Sequence, residues 1–91
     1  MWVWDPKKDE LNHRKHGVRL RVGAVALEAA PQLLTFEDPH PDELRWNSLC
    51  CLFGEVLHVT HTLPEADDEP GRIISVRRAN KAERMRYARQ T

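Results

Sequence analysis

Glu43 and Arg45 stand two apart in a run that reads as a β-strand, and Ser75 and Arg77 stand two apart in another. Alternation along a strand sends both members of each pair out of one sheet face. Where those faces coincide, one carboxylate and two guanidinium groups meet on a single patch, bordered by the basic segment that ends the chain. Cleavage of an RNA backbone needs such groups. A base takes the 2′-hydroxyl proton, cationic donors hold the charge growing on the phosphorane, and an acid protonates the leaving 5′-oxygen. Glu43 or His16 can be the base, Arg77 and Arg45 the phosphate clamp, and Tyr87 or a histidine the acid. Arginine suits the clamp because its planar fork meets two phosphate oxygens at once.

The same residues have plainer uses. A strand Glu and Arg two apart can pair with cross-strand neighbours at a solvated surface. Glu83 lies three residues after Asn80, the spacing of a capping box, which accounts for it as a helix cap. Tyr87, one turn later, can be core packing with its hydroxyl at the rim. Trp2, Trp4 and Trp46 can stack on bases, but in so short a chain they are expected in the core or against a partner.

Spacing argues against a metal, and no cofactor is expected. His58 and His61, three apart in a strand, point to opposite faces and cannot chelate one ion together. His13 and His16 can share a helix face without a further ligand nearby, and His16 also suits the last turn of a helix, where it complements the carbonyl end. Cys50 and Cys51 are adjacent, so they offer neither a staple between distant segments nor zinc-ligand spacing.

The formal net charge of zero hides a polarised chain. Residues 1–21 carry Lys7, Lys8, Arg14, Lys15, Arg19 and Arg21 against Asp5, Asp9 and Glu10, while residues 22–71 carry Arg45 against ten carboxylates. From Arg72 onward, seven cations face Glu83 alone. Brought together by the fold, the two basic ends make a surface suited to a phosphate backbone. The other reading is a solvated helix face with an internally paired acidic strand.

Ninety-one residues with 41% hydrophobic and 31% charged side chains point to one domain with a packed core. No apolar run approaches the roughly 18 to 20 residues of a membrane span, and Met1 to Asp5 lacks the layout of a secretory signal, so a cytoplasmic protein is expected.

The elements that must position these groups follow from local signals. Met1 to Trp4 reads as a short strand, and Asp5-Pro6 as a helix start, with Gly17 as the stop after His16. Arg21 to Ala30 carries Val22, Val25, Ala26 and Ala29 at helical spacing and ends at Pro31. Strands are expected at 33–37, 43–53, 56–63 and 72–78, with Gly54-Glu55 as a hairpin turn and an acidic loop from Pro64 to Gly71. Leu57, Val59 and Leu63 are expected on one face. Asn80-Lys81-Ala82-Glu83 opens a basic terminal helix. The class is α+β: two N-terminal helices and a C-terminal helix on an antiparallel sheet of about four strands.

Trp4-Asp5-Pro6-Lys7-Lys8, Asn12 and Lys15-His16-Gly17-Val18 resemble the N-terminal signature of the BrnT toxin family. Asp38-Pro39 followed by Glu43, Arg45 and Gly54 is similar to its central segment. Arg72-Ile73-Ile74-Ser75-Val76-Arg77-Arg78-Ala79, then Glu83-Arg84 and Tyr87, resembles its close. Arg19, Val76 and Asn80 depart from the pattern, which has serine, alanine and threonine or serine there. The resemblance implies a RelE-like fold and a ribonuclease that arrests translation. It also implies neutralisation by a ribbon-helix-helix antitoxin, with operator DNA bound only through the toxin–antitoxin complex. It places Lys15, His16, Glu43, Arg45, Arg77 and Tyr87 in the site, together with Arg78 and Glu83. Lys81 and Arg84 of the basic terminal helix join Lys15 and Arg78 as expected RNA contacts. The alternative from another class is a nucleic-acid-binding or antitoxin-binding module without catalysis.

Overall fold

The computed structural model describes residues 1–64 and 69–90. Its elements run β1 (Trp2–Val3), α1 (Pro6–His16), α2 (Leu20–Ala29), β2 (Leu33–Asp38), β3 (Arg45–Leu52), β4 (Glu55–His61), β5 (Gly71–Arg78) and α3 (Lys81–Gln90). Among the described residues the fold is α+β, with three helices and one mixed sheet of five strands in the order β1-β5-β4-β3-β2. The expectation of about four antiparallel strands is corrected at one edge. β2 to β5 are joined antiparallel, whereas β1 lies parallel to β5, Trp2 opposite Gly71 and Val3 opposite Arg72. A parallel partner requires a crossover, and here the whole of α1 to β4 separates the two strands.

The helix signals are local. The Asp5 carboxylate accepts from the Lys7 amide at 2.8 Å, Pro6 occupies the first turn, and Gly17 closes α1 in the left-handed region at φ 72°. At α2 the residue in the capping position is Arg19, which makes no side-chain cap. Asp9 of α1 supplies it instead, its carboxylate accepting from the Leu20 amide at 2.7 Å and from the Arg19 guanidinium at 3.2 Å. The cap that serine would provide locally therefore comes from the neighbouring helix.

Alternation sorts the sheet into two faces. Trp46, Ser48 and Cys50 of β3, Leu57, Val59 and His61 of β4, and Ile73 and Val76 of β5 lie on the side of α2. Val18, Leu20, Ala26 and Leu27 pack there to complete the larger core. A bulge between Thr60 and His61 shifts the β4–β5 register, so that Thr60 faces Ser75 and His61 faces Ile73. The strand ends at His61, and Leu63 falls beyond it rather than joining Leu57 and Val59. The hairpin turn is Phe53-Gly54, one residue earlier than expected, with φ of 51° and 79°. Both central residues are left-handed, as a type I′ turn demands. The acidic stretch centred on residues 65–68 lies outside the described residues.

α2 sits close on the sheet because Gly23 has no side chain. A Cβ built there would stand 2.5 Å from a Val76 methyl and 3.1 Å from a Val59 methyl. Alanine would gain about 1 kcal/mol of helix propensity. Overpacking against two buried β-branched residues costs about 1–3 kcal/mol. Gly23→Ala is therefore expected to lower the urea midpoint, and a raised midpoint would show that α2 can lift freely off the sheet.

Candidate active site

The opposite face of the sheet is covered only in part. α3 lays Tyr87 on Leu49 and Ala79, with Leu34, Phe36, Cys51 and Val56 around them. Beyond α3 the same face presents polar groups: Asp38 of β2, Arg45 and Asn47 of β3, His58 and Thr60 of β4, and Ser75 and Arg77 of β5.

Arg77 is held in place by three hydrogen bonds. Its Nη1 and Nη2 donate to the two carboxylate oxygens of Glu83 at 2.7 and 2.9 Å, and Nη1 also reaches the Arg78 carbonyl. A guanidinium has five N–H donors. Three are engaged among the described residues, which leaves Nε–H and one Nη2 hydrogen as a fork for two oxygens of an incoming phosphate. Glu83 is fixed in turn by the capping box, accepting from the Asn80 amide at 2.9 Å while its own amide donates to Asn80 Oδ1 at 2.8 Å. The Arg77 guanidinium holds the Glu83 carboxyl down at about 2, so it stays charged.

His58, directly opposite Arg77 in the sheet register, brings Nε2 within 3.8 Å of Glu83. Burial, then the Arg77 charge, lowers its pKa, while Glu83 acts the other way. Sequence reading weighed His58 only as a metal ligand. The available signal was its alternation with Leu57 and Val59, which puts it on the outer face with Arg77.

α1 supplies the other wall. Lys8, Lys15 and His16 border a shallow cleft of about 300 Å³ with Arg45 and Ser75. The pKa of the half-buried His16 is lowered by desolvation and by the charges of Lys15 and Arg77. The imidazole is thus neutral at neutral pH and able to accept a proton beside the phosphate fork. The structure brings together Lys15, His16, Arg45 and Arg77, with Glu83 behind them.

Other expected site residues stand elsewhere. Glu43 precedes β3 instead of lying in it, and a single carboxylate oxygen accepts from Arg72 at 2.6 Å and Arg45 at 2.7 Å. Those two hydrogen bonds hold its carboxyl at about 2, which suits an anchor for Arg45 and not a base working near neutrality. Tyr87 is 7% exposed, and its hydroxyl donates to the Gln32 carbonyl at 2.9 Å, so it packs and does not face the cleft. Arg78 follows Arg77 and so leaves the other side of the sheet, where it meets Glu55 at 2.6 Å. On α3, Lys81 and Arg84 are exposed, and Arg84 donates to the Ala79 carbonyl.

Trp2 packs edge-on against His61 at 5.3 Å, and with Trp4 it flanks the larger core. Cys50 is buried and its thiol is pushed up to about 12 by desolvation. Among the described residues no three His, Cys, Asp or Glu side chains are grouped to hold a metal ion, and no helix is long and apolar enough to cross a membrane.

The histidines also set a pH dependence of stability. Burial lowers the pKa of His58 and His61 in the folded chain, and the unfolded chain takes up those protons near 6.5. The unfolded state therefore binds more protons as pH falls through 6.5, and stability falls with it. The thermal midpoint is expected to be lower at pH 5.5 than at pH 7.5. A midpoint equal or higher at pH 5.5 would contradict the buried neutral histidines.

No curated protein matches the chain. A family model does, over residues 4–83, described as the ribonuclease toxin, BrnT, of type II toxin–antitoxin systems. The match takes in α1, the sheet from β2 to β5, and the capping box that fixes Arg77. The chain belongs to the BrnT family of ribonuclease toxins of type II toxin–antitoxin systems.

Proposed function

We propose that the chain is an endoribonuclease toxin that cleaves RNA without a metal on the open sheet face and thereby inhibits translation. The observation that carries the reading is the placement of neutral His16 beside Arg77, whose remaining guanidinium fork is open to a phosphate. His16 takes the proton of the 2′-hydroxyl, and the O2′–P bond forms. Arg77, with Arg45, holds the phosphorane oxygens. The His16 imidazolium then gives that proton to O5′ as the P–O5′ bond breaks, leaving a 2′,3′-cyclic phosphate and a 5′-hydroxyl. Lys15, with Lys81 and Arg84 at the border, attracts the RNA backbone.

In this reading the chain acts as a single RelE-like toxin unit in the cytoplasm, with no cofactor. A ribbon-helix-helix antitoxin neutralises it, and operator DNA is reached only through that complex. The test is induced expression of wild type in growing cells, beside purified protein on RNA in EDTA. Growth arrest with cleavage into 2′,3′-cyclic phosphate ends is expected. Folded protein that binds RNA in a salt-dependent way yet never cuts it would instead favour a non-catalytic binding module.

A further inference from the structure

Beside the phosphate fork the open face carries a second set of groups that the cleavage chemistry does not use. The Arg86 guanidinium of α3 lies over the Phe36 ring of β2, 4.4 Å from its centroid. Phe36 in turn meets His58 edge-on, with ring centroids 6.4 Å apart. Among the described residues the Arg86 side chain has no ion pair and no hydrogen bond, so its guanidinium donors are open. An exposed cation held over an aromatic ring is a preformed platform for a nucleobase.

Two polar groups flank that platform. Asp38 lies two residues beyond Phe36 on the same face, near enough to His58 for their charges to interact. Among the described residues it pairs with nothing, although its cross-strand neighbour is Arg45, whose Nε is taken by Glu43. Asn47 faces Phe36 directly in the β2–β3 register. Its Oδ1 accepts from Thr60 at 2.7 Å, and its amide hydrogens meet no acceptor among the described residues. Among the described residues no buried side-chain nitrogen or oxygen lacks a partner, so that amide nitrogen retains some exposure to solvent.

A free carboxylate beside a phosphate-binding fork repels the RNA backbone. It is useful there where it accepts from the donor edge of a base. Guanine alone among the four bases offers two adjacent donors, N1–H and N2–H, next to a carbonyl acceptor, O6. A carboxylate suits the first pair and an amide N–H the second.

We propose that Phe36, Arg86, Asp38 and Asn47 form a guanine subsite for a nucleotide next to the cleaved phosphate. Arg86 on Phe36 stacks the base, Asp38 accepts from N1–H and N2–H, and Asn47 donates to O6. The subsite rests on the ribonuclease reading for its place beside the scissile bond, but its binding preference can be measured without cleavage.

The experiment is fluorescence anisotropy of the purified full chain with uncleavable 2′-O-methyl hexamers. Each is oligouridine with one central G, A, C or U. The G hexamer is expected to bind on the order of 10-fold tighter than the others, a preference that Asp38→Asn removes. Phe36→Leu and Arg86→Ala are each expected to weaken every hexamer by about 10-fold through lost stacking. Arg86 is on an exposed helix position, so its variant keeps the test open should a β2 variant fail to fold. Equal binding of the four hexamers, a G preference that survives Asp38→Asn, or no binding would overturn the subsite. A G preference with unmodified RNA left intact would keep the subsite and remove the ribonuclease reading. Cleavage indifferent to G would do the reverse.

Discussion

Arg77→Ala is expected to abolish growth arrest and to lower the RNA cleavage rate by 10²-fold or more, with the fold retained. A preorganised donor aimed at charge that grows in the transition state is worth about 10² to 10³ in rate. Arg77 meets that description: Glu83 and the Arg78 carbonyl engage three of its donors and fix the guanidinium, leaving its other two N–H groups without a partner among the described residues. The loss in stability is smaller. The Arg77–Glu83 pair is partly solvent-exposed, and in the variant Glu83 keeps its bond to the Asn80 amide, so α3 remains capped. Partly exposed pairs contribute about 1 kcal/mol or less. The thermal midpoint should fall by a few degrees at most.

Two further variants separate a clamp from a structural strut. Arg77→Lys keeps the charge but cannot hold Glu83 and a phosphate through separate forks, so it should recover only a small part of the rate. Glu83→Gln keeps an acceptor for the Asn80 amide and removes the charge that orients Arg77. It should lower the cleavage rate while RNA affinity changes little. Full cleavage by folded Arg77→Ala would remove Arg77 from the chemistry.

What the sequence disclosed, and what it concealed, follows the range of the interactions. The caps of α1 at Asp5 and Gly17 and the box of Asn80 with Glu83 are written within a few residues, and each forms as read. Arg78 was also open to local reading, since a strand neighbour of Arg77 must leave the other face. The remaining differences come from distant partners. Glu43 has the composition of a base, but Arg72, 29 residues away, turns it into an anchor for Arg45. Tyr87 has the composition of an acid, but the Gln32 carbonyl, 55 residues away, takes its hydroxyl. The parallel pairing of β1 with β5 depends on a crossover that no local pattern encodes. His58 was legible as an outward-facing residue, whereas its neighbours Glu83, Arg77 and Phe36 come from three other elements.

Asn12→Leu is expected to cost about 3–5 kcal/mol and to disable the site even where the chain still folds. α1 has a single buried residue, and it is polar: Asn12, 7% exposed. Its amide donates to the Val18 and Val76 carbonyls at 2.8 Å each, and its carbonyl accepts from the Val76 amide at 3.2 Å. In effect Asn12 completes the free edge of β5 as a neighbouring strand would, and holds the turn after α1 with the same group. Leucine fills a similar volume but leaves one backbone N–H and two carbonyls unpartnered, at about 1–3 kcal/mol for each group that water cannot reach. Total stability for a domain of this length is of order 5–15 kcal/mol, so the loss is a large fraction of it. The consequence for function follows from what each element carries. α1 bears Lys15 and His16, β5 bears Arg77, and Asn12 is the buried link between them. Urea unfolding of Asn12→Leu measures the first effect. Cleavage assayed at low temperature, where the variant remains folded by circular dichroism, measures the second and should fall by more than the unfolded fraction explains. An unfolding free energy within about 0.5 kcal/mol of wild type, or full activity in the folded variant, would mean that α1 is seated by contacts other than Asn12.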